Sequence, residues 1–209
     1  YDTSLDMIIA SHPDKDHIGG LPAVLGRYTV LSVVEPGVDH DTAVYQEFER
    51  LITEKEIPKI LARRGMRFVL DGEAGVFLDI LLPDGDVTGW ETNDASILAR
   101  LSYGEESLML TGDLPQGRER YAVSLGSAVL RSTVLKLGHH GSRTSSSPEF
   151  LRAVAPEYAV ISAGADNQYG HPHKEVTDLM EKLGIPVFST IDKGTIIFET
   201  DGQELKITR

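Results

Sequence analysis

Residues 11–21 read Ser-His-Pro-Asp-Lys-Asp-His-Ile-Gly-Gly-Leu, and the interpretation of the whole chain depends on this stretch. It follows the apolar run 5–10, a pattern typical of a buried strand that ends in a polar loop. Imidazoles and carboxylates packed so closely repel or desolvate one another unless a cation holds them together. The stretch therefore predicts a metal site at the carboxyl end of a strand, with four candidate ligands: His12, Asp14, Asp16 and His17.

The spacing within this loop is suited to two ions rather than one. His12 and Asp14 alternate, so their side chains point the same way in an extended segment. Asp16 and His17 are adjacent and need a turn before they can converge. We therefore expect this loop to supply ligands to two neighbouring metal ions.

Length and composition indicate an ordinary globular protein. The chain has 209 residues, 41% of them hydrophobic and 25% charged, which is enough for one domain (1–209) with a full core. No apolar run reaches the roughly 18 residues that a membrane helix needs. The chain begins without Met and without the features of a signal peptide, so we expect it to be a piece of a longer protein.

Charge and cysteine content narrow the chemistry. There is no cysteine, so a metal site must be built from His and carboxylate groups. The formal net charge of −12 argues against an extended surface for nucleic acid, because phosphate contacts need Lys and Arg. Any nucleic acid would then be bound at the metal site or by a neighbouring domain.

The hydrophobic pattern predicts strands first and then an alternation of strands and helices. Such an order indicates an α/β fold in which two sheets pack together with helices outside. Strands are expected at 5–10, 30–34, 66–70, 76–82, 96–103, 107–110, 133–137, 158–163, 187–190, 195–199 and 204–208. Helices are expected at 21–28, 41–56, 116–124, 148–154 and 173–183.

Three further loops carry metal-binding residues after predicted strands. Gly112 permits a sharp turn at a strand end, so that Asp113 projects beyond the sheet and could bridge two ions. His139 and His140 lie between glycines; neighbouring histidines diverge, so one is expected to bind metal and the other to donate a proton or contact phosphate. His171 follows another strand and is favoured as a ligand, whereas His173 reads as a helix-start residue.

Three residues are candidates for contact with substrate. Arg143 could hold an anionic oxygen, although a solvated loop charge is an equal alternative. Ser142 lies in the same loop. Asn93, with Ser96, could contact metal or substrate weakly, and a turn role is at least as well supported.

Taken together, these motifs resemble the metallo-β-lactamase superfamily, and within it the branch of ComEC-like competence proteins. The first motif departs from the usual His-x-His-x-Asp-His, because Asp14 stands where the second His is expected. The family also has a His where Thr92 or Asn93 stands. The matching residues are His12-x-Asp14-x-Asp16-His17, Asn93-x-x-Ser96, Gly112-Asp113, His139-His140-Gly141-Ser142 and Tyr169-Gly170-His171-Pro172.

The resemblance implies a four-layer αββα sandwich with two metal ions at the sheet edge. His12 and Asp14 would bind the first ion, Asp16 and His17 the second, and Asp113 would bridge them. His139 or His171, or both, would supply the last ligand. The opening strands of the family are absent before Tyr1, so one sheet is expected to lack strands.

The implied activity is that of a metal-dependent phosphodiesterase or nuclease that degrades the DNA strand not taken up during competence. Two ions, Zn²⁺ or Mn²⁺, would lower the pKa of a shared water, and the resulting hydroxide would attack phosphorus. Asp16 would orient it, and His139 or His140 would protonate the leaving oxygen.

The expected partners are single-stranded DNA and the rest of a membrane-embedded parent protein. No membrane segment is expected in this chain, which by resemblance would lie on the extracellular face of the bacterial membrane. The alternatives are an esterase or lactonase of the same fold that acts on small molecules, and a metal-stabilised module without catalysis.

Overall fold

The computed structural model describes residues 3–208 of the chain. A short 3₁₀ helix lies at Ser127–Leu130, and a tight turn with left-handed residues lies at Gly138–Gly141. The strands are β1 Ser4–Leu5, β2 Ile8–Ile9, β3 Thr29–Val30, β4 Val33–Glu35, β5 Lys59–Leu61, β6 Arg67–Asp71, β7 Val76–Leu82, β8 Leu98–Tyr103, β9 Glu106–Leu110, β10 Val134–Lys136, β11 Tyr158–Ile161, β12 Val187–Ser189, β13 Ile197–Thr200 and β14 Leu205–Thr208. The helices are α1 Lys15–Ile18, α2 Leu21–Arg27, α3 Ala43–Glu54, α4 Gln116–Leu125, α5 Pro148–Val154, α6 Lys174–Leu183 and α7 Thr190–Lys193.

The largest sheet has seven strands in the order β12-β11-β10-β9-β8-β7-β6. Strands β6 to β9 are antiparallel, as expected for segments joined by short turns, whereas β9 to β12 run parallel. The carboxyl ends of the parallel strands therefore lie side by side along one end of the sheet, which we call the carboxyl edge. The loops that carry Asp113, the histidine pair and His171 all leave from this edge.

A second, smaller sheet pairs β2, β4 and β5 in parallel. The predicted strands 5–10 and 30–34 are wrong as continuous elements, because each is divided between two sheets. β1 pairs with β3, and β2 pairs with β4. The chain crosses between sheets at Ser32, whose hydroxyl donates to the carbonyl of Asp6 at 2.9 Å. Strand β5 was not predicted.

Three apolar clusters define the layers. The largest lies between the seven-stranded sheet and helices α4, α5 and α6. A second lies between the small sheet and helices α2 and α3, around the fully buried Phe48. A third joins the two sheets, through Val34 on β4 and Leu78 and Ile80 on β7. The order is therefore helix, sheet, sheet, helix, which confirms the predicted αββα arrangement.

Most remaining elements lie within two residues of their predicted bounds. Strand β7 and helix α5 match them fully. Helix α3 begins at Ala43 rather than Asp41, with Thr42 at the N-cap position. Within residues 3–208, no helix has the length and apolar character to cross a bilayer.

Candidate metal centre

The loop after β2 turns at once into the short helix α1. The Ile18 amide donates to the Asp14 carbonyl, which closes one helical turn and brings Asp16 and His17 back towards His12. This is the turn that Asp16 and His17, as adjacent residues, need in order to converge. The hydroxyl of Ser11 lies 3.1 Å from Nδ1 of His12 and 3.4 Å from Nδ1 of His17. Both rings therefore present Nε2 on the side away from this serine.

Asp113 stands at the centre of the site because Gly112 allows the chain to pass close to its neighbours. Gly112 has φ +53°, and a Cβ there would lie 3.0 Å from the side chain of Ser96 and 3.3 Å from that of Ser11. The hydroxyl of Ser96 accepts a hydrogen bond from the Asp113 amide at 3.1 Å. The Asp113 carboxylate is buried, and the Ser96 hydrogen bond to its backbone amide fixes the turn that carries it.

The histidine pair sits on strained backbone. His139 has φ 50° and His140 has φ 56°, both in the left-handed region that costs non-glycine residues free energy. Nδ1 of His140 lies 2.7 Å from the Ser162 carbonyl, so this nitrogen carries the proton and donates. Nε2 then points towards Asp16 and His17, the orientation found in histidines that bind metals.

Four side chains from three loops meet at one point. In residues 3–208, ligand atoms of Asp16, His17, Asp113 and His140 lie within 4.8 Å of one another. Nε2 of His140 is 3.0 Å from Oδ2 of Asp16 and 3.2 Å from Nε2 of His17. Nε2 of His17 is 3.1 Å from Oδ1 of Asp113. Ligands 2.0–2.2 Å from a common cation lie roughly 3–4 Å apart, so these separations suit one.

A second group lies on the other side of Asp113. Nε2 of His12 is 3.7 Å from Oδ2 of Asp14 and 3.8 Å from Oδ2 of Asp113. Nε2 of His139 is 3.7 Å from the same Asp113 oxygen. Oδ1 of Asp113 thus faces His17 and Oδ2 faces His12 and His139, so the carboxylate lies between the two groups, as a bridging ligand requires.

Two buried atoms in the site have no hydrogen-bond partner among the described residues, Nε2 of His12 and Oδ1 of Asp113. His17 is near that oxygen, but not in hydrogen-bond geometry. Buried polar atoms are rarely left without a partner unless an ion or water satisfies them. The donor set of imidazole and carboxylate, with these two unpaired atoms inside it, fits divalent metal ions.

Burial and neighbouring charges together set the protonation of the site. It lowers the pKa of His12 from 6.5 to about 4, and the nearby His17 adds to the effect. Burial alone would raise the pKa of Asp113, but His17, His12 and Lys136 outweigh it and hold that pKa below the ordinary range. His12 is therefore neutral and Asp113 ionised at neutral pH, the forms that bind a metal.

The structure adds residues that sequence reasoning missed. Nε2 of His40, in the loop after β4, lies 3.8 Å from Oδ1 of Asp14. Since β4 pairs in parallel with β2, a histidine after β4 could have been recognised as a neighbour of the first loop. Lys136 donates to the Gly112 carbonyl at 3.3 Å and lies behind Asp113. In the sequence, the signal that could have identified Lys136 is that a charged residue ends the otherwise apolar strand β10.

The remaining predicted residues lie at the rim or behind the site. His171 packs its ring 5.3 Å from that of His139 and 6.0 Å from that of His140. It forms no ion pair with a carboxylate in residues 3–208. His173 accepts from the Arg143 amide at 3.1 Å through Nδ1. The guanidinium of Arg143 is exposed and lies 3.6 Å from Glu175.

Ser142 and Asn93 are the other two predicted substrate contacts. Ser142 is buried, and its hydroxyl lies 3.0 Å from that of Thr144, which is 3.4 Å from Nδ1 of His139. Ser142 therefore supports the histidine loop from behind. The backbone carbonyl of Asn93 accepts a hydrogen bond from the Ser96 amide. Its buried side-chain oxygen, Oδ1, has no hydrogen-bond partner among the described residues. All seven histidines of the chain belong to this edge of the molecule or contact a residue that does.

Comparison with known proteins gives a family match and several relatives. The model of the Metallo-beta-lactamase superfamily matches residues 3–165. The chain is 32% identical over 200 residues to ComE operon protein 3 of Bacillus subtilis, covering 92% of this chain and 24% of that protein. It is 35% identical over 194 residues to competence protein ComA of Neisseria gonorrhoeae, covering 93% and 25%. The chain thus spans about a quarter of the length of these relatives.

Among solved structures, the fold is similar to that of CmlA, a diiron beta-hydroxylase from Streptomyces venezuelae. The TM-score is 0.57 at 14% sequence identity, over 90% of this chain and 44% of CmlA. At this identity, the similarity concerns the fold alone.

Proposed function

The chain belongs to the metallo-beta-lactamase superfamily, and from this premise we propose that it is a metal-dependent phosphodiesterase domain that cleaves DNA during uptake. The observation that carries the proposal is the meeting of Asp16, His17, Asp113 and His140 within 4.8 Å. The names of the two relatives, a competence protein and a ComE operon protein, supply the biological context. The substrate would be the single DNA strand that is not transported.

We assign the ligands in two groups. Asp16, His17 and His140 would hold one divalent ion and His12 and Asp14 the other, with Asp113 between them. His40 and His139 stand at the edge of the second group. We propose His140 as the last ligand of the ion that Asp16 and His17 would hold, in place of His139 or His171, because its Nδ1 lies against a carbonyl and its Nε2 is directed at Asp16. Zn²⁺ and Mn²⁺ both suit this mixture of nitrogen and oxygen donors.

The residues around the ligands have separate tasks. Bound ions would supply Lewis acidity towards a phosphoryl oxygen and lower the pKa of water. The Asp16 side chain is 59% exposed, so it can accept a proton from an incoming water and orient it. His139 lies at the mouth of the site, where it can donate a proton to the leaving oxygen. Ser11 and Ser96 hold the ligands in place from behind.

Hydrolysis of single-stranded DNA by the purified chain, with Mn²⁺ or Zn²⁺ added, tests the assignment. Asp16→Asn keeps the shape of the side chain and removes its charge, and we expect a loss of about 10²-fold or more in rate. Asp192→Asn, an exposed change in α7, is the matched control and should leave the rate unchanged. Equal rates in wild type and Asp16→Asn would refute the proposed role.

A second candidate is a hydrolase of small phosphoesters or lactones with the same site. The net charge of −12 favours it, because a polyanionic DNA strand is repelled by an acidic surface. Cleavage of a small phosphodiester dye with no cleavage of DNA at low salt would select this candidate. Two metal ions per chain without cleavage of any ester would instead indicate a metal-stabilised module.

The place of the domain in the cell is also part of the proposal. The chain spans about a quarter of its relatives, 24% of one and 25% of the other, which supports a larger parent protein. We propose that this parent is embedded in the membrane. We place the domain on the extracellular face, where incoming DNA arrives. Protease added to intact cells should then remove an epitope inserted in this domain, and full protection of the epitope would contradict the placement.

A further inference from the structure

A large cleft lies at the end of the seven-stranded sheet where the parallel strands begin, on the side opposite to the metal centre. Its volume is about 820 Å³, which falls among the sizes usual for small-molecule sites. Ser107, Thr133 and Glu157, at the amino ends of the parallel strands, form part of its wall. The metal ligands follow the carboxyl ends of β9 and β10. The two sites are therefore about a strand length apart, roughly 15 Å.

The cleft exists because the helical layer covers the sheet incompletely. Helix α4 and the 3₁₀ helix Ser127–Leu130 share a core cluster with Leu82 at the end of β7, whereas Arg67 on β6 and Asp79 in the middle of β7 line the cleft beside them. At that boundary the outer face of the antiparallel strands carries polar residues. Asp79 on β7 stands between Arg67 on β6 and Arg100 on β8 in the strand register.

Arg100 is left with unused donors in this row. Both oxygens of Asp79 accept from Arg67, at 2.6 and 2.9 Å. Arg100 donates one hydrogen bond, from Nε to the carbonyl of Arg131 at 2.9 Å. Its two Nη groups have no hydrogen-bond partner in residues 3–208. Burial lowers the pKa of Arg100, although the group stays charged at neutral pH. A partly desolvated guanidinium with free donors is a strong partner for an oxyanion.

Two more arginines share the cleft. Arg64 donates to the Leu125 carbonyl at 3.3 Å, and the Arg131 side chain is exposed. Four of the twelve arginines of this acidic chain line the cleft, and no lysine does. Arg67 and Asp79 neutralise each other, so the remaining charges in the cleft lining are three guanidinium groups and the carboxylates of Glu105 and Glu157. The balance in the cleft is positive, opposite to that of the whole chain.

The opposite wall is apolar. Leu125 from α4 and Val129 from the 3₁₀ helix line it, and Val129 is 53% exposed. Arginine forks hold phosphate through paired hydrogen bonds, and an apolar wall accepts the organic part of a ligand. We propose that this cleft binds a phosphate monoester of nucleotide size, with the phosphate on Arg100 and Arg64 and the organic group against Leu125 and Val129. This binding site is independent of the proposed hydrolase activity.

Calorimetric titration of the metal-loaded chain with thymidine monophosphate tests this site, with inorganic phosphate and thymidine as the two partial ligands. We expect the monophosphate to bind more tightly than phosphate, and thymidine not to bind. Arg100→Gln should weaken the monophosphate by about tenfold or more, because it removes charged hydrogen bonds. Arg27→Gln, an exposed arginine on α2, is the matched control and should leave the affinity unchanged.

Arg64→Gln serves as a second variant if Arg100→Gln does not fold. Unchanged affinity in the folded cleft variants would overturn the proposal. So would binding that disappears with a chelator and survives both substitutions, because that would place the phosphate at the metal centre. Binding of thymidine as tight as that of its monophosphate would also overturn it, since the arginines would then play no part.

Discussion

Glu119, on α4, is a buried carboxylate that fixes the loop of the histidine pair, and replacing it by glutamine tests how this loop is held. Its two oxygens accept from the amides of Ser146 and Ser147 at 2.7 and 2.6 Å. Ser147 in turn caps α5, since its hydroxyl accepts from the Phe150 amide. The carboxylate thus anchors the far end of the segment that begins at His139.

The magnitude follows from the pKa of this group. Burial raises the pKa of Glu119 from 4.5 to about 6, although the hydrogen bonds from Ser147 and Ser146 oppose the rise. The folded state therefore binds this proton more tightly than the unfolded state. The difference corresponds to about 2 kcal/mol. The contribution of Glu119 to stability is largest below pH 4.5 and falls by that amount as the pH rises past 6.

Glutamine has no proton to lose, so Glu119→Gln should lack this dependence. We expect the difference in free energy of unfolding, wild type minus variant, to fall by about 2 kcal/mol from below pH 4.5 to above pH 6. Urea unfolding followed by circular dichroism measures it. A chelator in all samples prevents metal binding from adding its own pH dependence.

Glu149→Gln, an exposed change in the first turn of α5, controls for the loss of one negative charge. A constant difference between wild type and Glu119→Gln across this pH range would refute the reasoning. An equal dependence in the Glu149→Gln variant would assign the effect to net charge rather than to the buried carboxylate.

Three further predictions concern the metal centre. His140→Ala should weaken binding of Zn²⁺ or Mn²⁺ by about tenfold or more in a calorimetric titration, and His171→Ala should weaken it less; the reverse order would return the last ligand to His171. Gly112→Ala should destabilise the chain by about 1–2 kcal/mol in urea unfolding, because a left-handed residue gains a Cβ against Ser96, whereas Gly117→Ala, in open space on α4, should be neutral or stabilising. Chelation should lower the melting temperature, and added Zn²⁺ or Mn²⁺ should restore it, since the metal binds only the folded state; an unchanged melting temperature would speak against a resident ion.

The distribution of charge over the chain bears on how it would bind a polyanion such as DNA. The chain has a net charge of −12, yet its two candidate sites for phosphate each gather positive charge locally. At one edge this charge would come from metal ions, and at the other from arginines. Association with a long polyanion would therefore depend on salt, and DNA cleavage should fall as ionic strength rises if the proposed substrate is correct.

The sequence alone determined the fold class and identified most of the loops that carry the candidate metal ligands. Periodicity, turn residues and strand ends are local properties, so helix α5 and strand β7 could be predicted to the residue. The metal loop was recognisable for the same reason, because its four potential ligands fall within six consecutive residues directly after an apolar run.

Tertiary structure decided what depends on residues far apart in the chain. The division of the predicted strand 30–34 between two sheets follows from pairing with β1 and β2, which no local pattern encodes. His40 joins Asp14 only because β4 lies beside β2. The choice among His139, His140 and His171 depends on left-handed backbone and on a carbonyl of residue 162, so it required the folded chain.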